Sequence, residues 1–159
     1  MNVGLRGNVS ALLLSALAAG GPGSAASPGG YWLQGRPRDP AEQALRAALE
    51  GSGPRTAELK AVSAAHPGTL ASGLARLEAG LRLLDDRRSA EAIPFLEHPD
   101  IRQTRLADYS LFALGEAYAN TRDHARAAAA HLTVMEQYPA SPLRCPALLD
   151  AAEIGRAHV

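Results

Sequence analysis

The chain predicts an all-α fold, a right-handed solenoid of about seven helices stacked as helical hairpins. Three observations carry that expectation. Leu70, Leu74, Leu77, Leu81 and Leu84 recur in alternating steps of four and three, which draws one apolar stripe along a helix. Small residues repeat at a fixed interval, Gly80 and Gly115 standing 35 positions apart and Ala92 and Ala127 likewise. Two Phe and one Trp among 159 residues leave a core of Leu and Ala, a composition that suits helices better than sheets.

The N-terminal residues 1–26 read as a secretory signal peptide. Arg6 supplies the positive flank, Val9 to Ala19 the apolar run, and Ser24-Ala25-Ala26 a small-residue cleavage site. The run is about half the roughly 20 residues of a membrane span, and Gly20-Gly21-Pro22 ends it. No Cys follows it to carry a lipid. Residues 27–38 form a Pro/Gly-rich linker around the apolar island Tyr31-Trp32-Leu33, which is expected to tuck against the first helix.

The helical repeat region is placed at 39–152. Asp39-Pro40-Ala41-Glu42 combines an N-cap, a first-turn Pro and an acid placed for a capping box, and the helix runs to Glu50 with Gly51 as its stop. Pro54 opens a second segment bearing Leu59 and Val62, which ends before His66-Pro67-Gly68. Thr69 caps the third helix, the one with the leucine stripe. Burying a leucine contributes about 1.5–3 kcal/mol, too little for one helix to offset its own ordering, so the stripe demands neighbours. After the turn Asp85-Asp86-Arg87-Arg88, Ser89 is expected to cap a fourth segment carrying Ala92, Ile93 and Leu96; Pro94 inside it predicts a short or kinked helix. A fifth helix is expected over Leu106–Asn120. A sixth runs from the N-cap Asp123 to Tyr138-Pro139, and a seventh starts at Ser141-Pro142 with Leu148 on its face. Glu153 to Val159 resembles a translated sequencing adapter, which predicts that natural sequence stops near Ala152 and that the chain is a piece of a longer protein.

Charge excludes some partners. The 16 basic and 16 acidic residues balance, and only Arg6, Arg156 and Glu153 among them lie outside residues 27–152. A nucleic-acid binder needs a basic excess to offset phosphate charge, so no nucleic acid is expected. One Cys cannot staple the fold. Asp85-Asp86 and Glu97-His98 have the composition of acid–base pairs, but both fall at turns, where solvated charge is the ordinary outcome. His66, His98, His124 and His131 are too scattered for a metal site. His131 is expected as a packed imidazole with a hydrogen-bonded nitrogen, and Cys145 as an inward-facing small hydrophobe. No catalytic residue, metal or cofactor is assigned.

Taking Asp108 as a first position, Leu111, Leu114, Gly115, Tyr118, Ala127, Val134 and Pro139 fall where a tetratricopeptide (TPR) repeat needs them, through Ser141. The preceding copy departs from that pattern at Arg76, Ala79 and Pro94. Leu106-Ala-Asp-Tyr-Ser-Leu-Phe-Ala-Leu-Gly-Glu-Ala-Tyr and Tyr138-Pro-Ala-Ser-Pro-Leu-Arg-Cys-Pro-Ala-Leu-Leu resemble the N-terminal α-superhelix of soluble lytic murein transglycosylases, over about residues 57–152. The resemblance implies a periplasmic location and peptidoglycan or an envelope protein as partner. In that family a later lysozyme-like domain cleaves the glycan with a Glu placed directly before a Ser. No Glu-Ser pair occurs in this chain, nor the family's Gly-Leu-Met-Gln-type motif, so any such chemistry would lie beyond it. Tyr-Pro-x-Ser-Pro exits also occur in freestanding periplasmic repeat scaffolds, which leaves a protein-binding module open.

The TPR register assigns Tyr109, Phe112, Glu116 and Asn120 to the groove face, an aromatic pair beside an acid and an amide. It also places Leu74, Leu77, Leu81 and Leu84 toward the groove. No soluble surface exposes such a stripe, so the two N-terminal helices are expected to cover it.

Overall fold

The computed structural model describes residues 39–50 and 55–157. The signal peptide, the linker with its Tyr31-Trp32-Leu33 island, the Gly51 and Pro54 signals and the last two residues lie outside the described residues.

Seven α-helices and one 3₁₀ turn make up the described residues, with no strand among them: α1 (Pro40–Glu50), α2 (Arg55–Ala65), α3 (Leu70–Asp85), α4 (Ser89–Leu96), the 3₁₀ turn Pro99–Gln103, α5 (Ala107–Asn120), α6 (His124–Gln137) and α7 (Arg144–Ala157). Three starts have a side-chain cap. The Asp39 carboxylate accepts from the Ala41 amide at 3.0 Å, Thr69 accepts from Ser72 at 3.1 Å, and Asp123 accepts from Arg126 at 3.1 Å. Each satisfies an orphan first-turn donor.

Every helix packs on its successor, and α1 also reaches α3 as α3 reaches α5. The leucine stripe is covered as expected. Leu45 and Leu49 of α1 and Leu59 and Val62 of α2 share one core with Leu74, Leu77 and Leu84. Leu81 is half-buried, whereas Leu70, in the first turn, stays 40% exposed. That core runs on through Leu96, Leu114 and Tyr118 to Ala127, and a smaller one joins Phe112, Val134, Leu143 and Ala147 where α5, α6 and α7 meet.

The hairpins α3/α4 and α5/α6 repeat one another at a 35-residue offset. A Cβ on Gly80 would come within 2.6 Å of Leu96, and one on Gly115 within 2.6 Å of His131. Without side chains at these positions, the two helices of each hairpin touch directly. Both first helices also end in one motif. Arg88 donates to Leu83 and Asp123 to Tyr118 across the last turn, at 2.8 and 2.9 Å, while Arg87 and Arg122 hold φ of 60° and 65°. This is a Schellman ending with arginine, not glycine, in the left-handed position.

Two expectations are corrected. Ser89 does not cap α4; the cap position falls on Arg88, which makes no side-chain cap bond, and Ser89 is buried as the first helical residue. The helix is short, at eight residues, with Pro94 inside it. The seventh helix begins at Arg144, later than Ser141-Pro142, because the Ser141 hydroxyl first turns the chain by accepting from the Leu143 amide at 3.1 Å. It then continues without a break past Ala152 to Ala157.

Candidate functional site

Tyr109, Phe112, Glu116 and Asn120 lie along one stripe of α5, yet the fold gives them different surroundings. Phe112 is buried on Val134, Leu143 and Ala147, with its ring edge-on to His131 at 5.1 Å. Tyr109 is half-buried between the two cores, and Glu116 is half-buried. Asn120 is exposed and donates to the Ser89 hydroxyl at 3.2 Å, beside a depression that Arg87, Arg88 and Thr121 also line. The surface of this stripe is therefore Tyr109, Glu116 and Asn120, and Phe112 is the packing beneath it. A second depression, of about 510 Å³, has Leu96, Ile101, Leu111 and Leu114 as its floor, with Glu97, Arg102, Gln137 and Tyr138 around it.

Of the acid–base candidates, Glu97 and His98 take different partners. Asp85 and Asp86 are exposed where α3 ends. Glu97 accepts from the Tyr118 hydroxyl, whose ring lies under the Arg126 guanidinium at 4.4 Å. Burial, with the Glu97 bond second, raises the Tyr118 pKa above the usual phenol value. His98 turns away to the 3₁₀ turn, where Nδ1 accepts from the Asp100 amide at 3.3 Å.

Asp100 was not singled out by the sequence. Its buried carboxylate accepts from the Ser72 hydroxyl at 2.7 Å and the Gly68 amide at 3.2 Å, with Arg76 Nε and His98 Nδ1 each 3.6 Å away. Burial pushes its pKa up; the Ser72 and Gly68 bonds, with the Arg76 charge beside it, outweigh that and hold it below the usual carboxylate value. The only signal was the position of Asp100 after His98-Pro99 at the head of a turn. Its partners, 28 and 32 residues away, could come only from the fold.

His131 is packed as expected, at 1% exposure, and its Nδ1 has no hydrogen-bond partner among the described residues. Burial lowers its pKa, partly offset by the charge of Asp150. Cys145 is exposed, not inward. Leu143 and Ala147 face the core, and at 100° per residue the position between them points the other way.

Among the described residues no three His, Cys, Asp or Glu side chains are grouped to hold a metal ion, and no helix is long and apolar enough to cross a membrane. No protein-family model matches the chain, and neither a curated protein nor a solved structure matches it. The groups this stripe brings toward the surface are a phenol, a carboxylate and an amide, with Phe112 packed beneath them on Val134, Leu143 and Ala147.

Proposed function

We propose that the chain is a non-catalytic TPR-like scaffold of the periplasm, whose hairpins stack into a right-handed superhelix in the manner of the N-terminal helical domain of a peptidoglycan lytic transglycosylase. One observation carries the repeat reading. Gly80 on Leu96 and Gly115 on His131 are the same close approach, made twice at one interval. The contacts of α1 with α3 and of α3 with α5 support a stack of such units, since neighbouring hairpins in a solenoid meet through their first helices. The transglycosylase reading rests on the Leu106–Tyr118 and Tyr138–Leu149 segments. Tyr109, Glu116 and Asn120 would meet the partner, with Phe112 fixing their helix against α7.

Co-sedimentation of the chain with purified sacculi, beside a pull-down from envelope proteins, tests this. The expected result is retention on sacculi that falls several-fold in Tyr109→Ala combined with Glu116→Lys. Retention by an envelope protein alone would move the reading to a freestanding periplasmic repeat protein. Binding to neither sinks the scaffold reading, and peptidoglycan turnover by the chain itself sinks the non-catalytic one.

A further inference from the structure

The seam between α6 and α7 is apolar at both ends and polar in the middle. At one end Val134 of α6 meets Leu143 and Ala147 of α7 over Phe112. At the other, Ile154 of α7 packs on the core that includes Ala127 of α6. His131 falls between Val134 and Ala127, as Asp150 falls between Ala147 and Ile154, which sets both mid-seam. The His131 ring fills the place of the missing Gly115 side chain, where a Cβ would come within 2.6 Å of its Cε1 and Nε2, and stands edge-on to Phe112. It is buried, and its Nδ1 has no hydrogen-bond partner among the described residues. The α5 groups packed on the ring, Phe112 and Gly115, carry no charge. From α7 comes Asp150, half-buried, the charge that acts on the ring, while Glu153, one turn further, acts on Asp150. Among the described residues His131 and Asp150 form no ion pair.

A proton on His131 puts a cation among apolar side chains with one of its N–H groups unsatisfied. Asp150 favours that cation, but burial outweighs it and holds the folded pKa below the ordinary histidine value. The cost can be relieved by water on one side only. Helices α5 and α6 are tied into the main core through Leu114, Tyr118 and Ala127, whereas α7 rests on α6, on the small cluster around Phe112 and on Ile154. We propose that α7 is an acid-released cover: protonation of His131 lifts it from α6, wets the imidazole and uncovers Phe112, while the rest of the fold stays closed. With α7 lifted, the ring takes up its proton near the ordinary value of about 6.5; closed, it does so only at lower pH. Closure is therefore strongest above about pH 6.5 and weakens as pH falls from there through the folded value. Asp150, whose pKa burial raises, works the other way only once pH nears the carboxylate range. The inference goes beyond the scaffold reading, because the seam needs no ligand on α5.

Amide hydrogen exchange of the full chain at about pH 7.5 and about pH 5, each rate divided by the intrinsic rate at that pH, reads α3 and α7 separately. Protection of α7 should fall several-fold at the lower pH, while protection of α3 stays level. His131→Leu should keep α7 equally protected at both. If that variant does not fold, His131→Gln, neutral and close in size, should do the same. Asp150→Asn removes the charge that favours the imidazolium, so the acid drop in α7 protection should deepen there. A drop that is absent from the wild type, is shared equally by α3, survives in the His131 variant or shrinks in Asp150→Asn would each overturn the proposal. The measurement uses no ligand, so a chain that shows the drop and binds no sacculi loses only the scaffold reading. One that binds sacculi without the drop loses only the cover.

Discussion

The hairpins α3/α4 and α5/α6 share one backbone plan and fill it with different chemistry. In the first, Leu96 presses on the glycine; in the second, a buried histidine does so with one nitrogen unbonded. The exits differ as well. Behind Gly73 the first hairpin folds its 3₁₀ turn so closely that an added Cβ would strike the Asp100 carbonyl. The matching position in the second hairpin, 35 residues on, is Asp108, whose side chain has room to accept from Ser141 at 2.6 Å. The lesson is that the helix-to-helix approach is the constant of this repeat, while the connection to the next hairpin varies.

The largest expected effects lie at that varied exit. Gly73→Ala forces a methyl against backbone that has no flexible end to yield, and should cost about 3 kcal/mol or more in urea unfolding. The comparison breaks if Gly73→Ala is neutral. Asp100→Ala should cost about 1–3 kcal/mol, because it removes the acceptor of the Gly68 amide and one of the two acceptors of the Ser72 hydroxyl. Asp100 also sets an acid limit. Its folded pKa is lowered, so its stabilisation is complete above the unfolded carboxylate value and is lost as pH falls through the folded one. In Asp100→Asn that part of the acid limb should vanish.

The difference between Leu96 and His131 is next in size. Because leucine already fits this place in the first hairpin, His131→Leu should stabilise the fold by about 1–3 kcal/mol, the cost of a buried unbonded polar group. The pH dependence sharpens the point. The folded pKa of His131 is lowered, so below the unfolded histidine value the unfolded chain binds more protons. The wild type should therefore lose stability as pH drops below about 6.5. Asp150, raised by its burial, runs the opposite way at lower pH and remains in His131→Leu. A difference between the two proteins that does not grow on acidification would refute the assignment.

Smaller effects separate the second helices of the two hairpins. Asp123 caps α6, whereas Arg88 occupies the same place before α4 without capping it. Asp123→Ala should lower the urea midpoint slightly, and Arg88→Asp should raise it by less, since it also gives up an exposed pair with Glu91. Smallest of all, Arg87→Gly and Arg122→Gly should each gain about 0.5–1 kcal/mol by relieving a left-handed arginine. Equal gains would show that the two turns are energetically alike, and unequal ones that their surroundings differ.

Much of this architecture was legible because helices announce themselves locally. Caps at Asp39, Thr69 and Asp123, the Pro94 interruption and the 35-residue glycine interval all act within a few residues or at a fixed period. Ser89 misled because serine before an apolar run has the composition of a cap, while the Schellman ending of α3 had already claimed Arg88 for that place. The stripe of α5 was readable as a stripe, but that Phe112 would be walled in by Leu143 and Ala147 depended on where α7 lands.

By itself, then, the amino-acid order determined that the chain is helical, where most helices start and stop, and which positions must be small. These follow from backbone propensity, capping and periodicity, each of which operates over one or two turns. Only the tertiary structure decided that Asp100 would gather Ser72 and Gly68, that His131 would be left with an unbonded nitrogen, and that Cys145, Leu148 and Leu149 would face outward. Those outcomes depend on helix rotation and on contacts tens of residues apart, where a turn of 100° per residue exchanges core for surface without changing the local pattern.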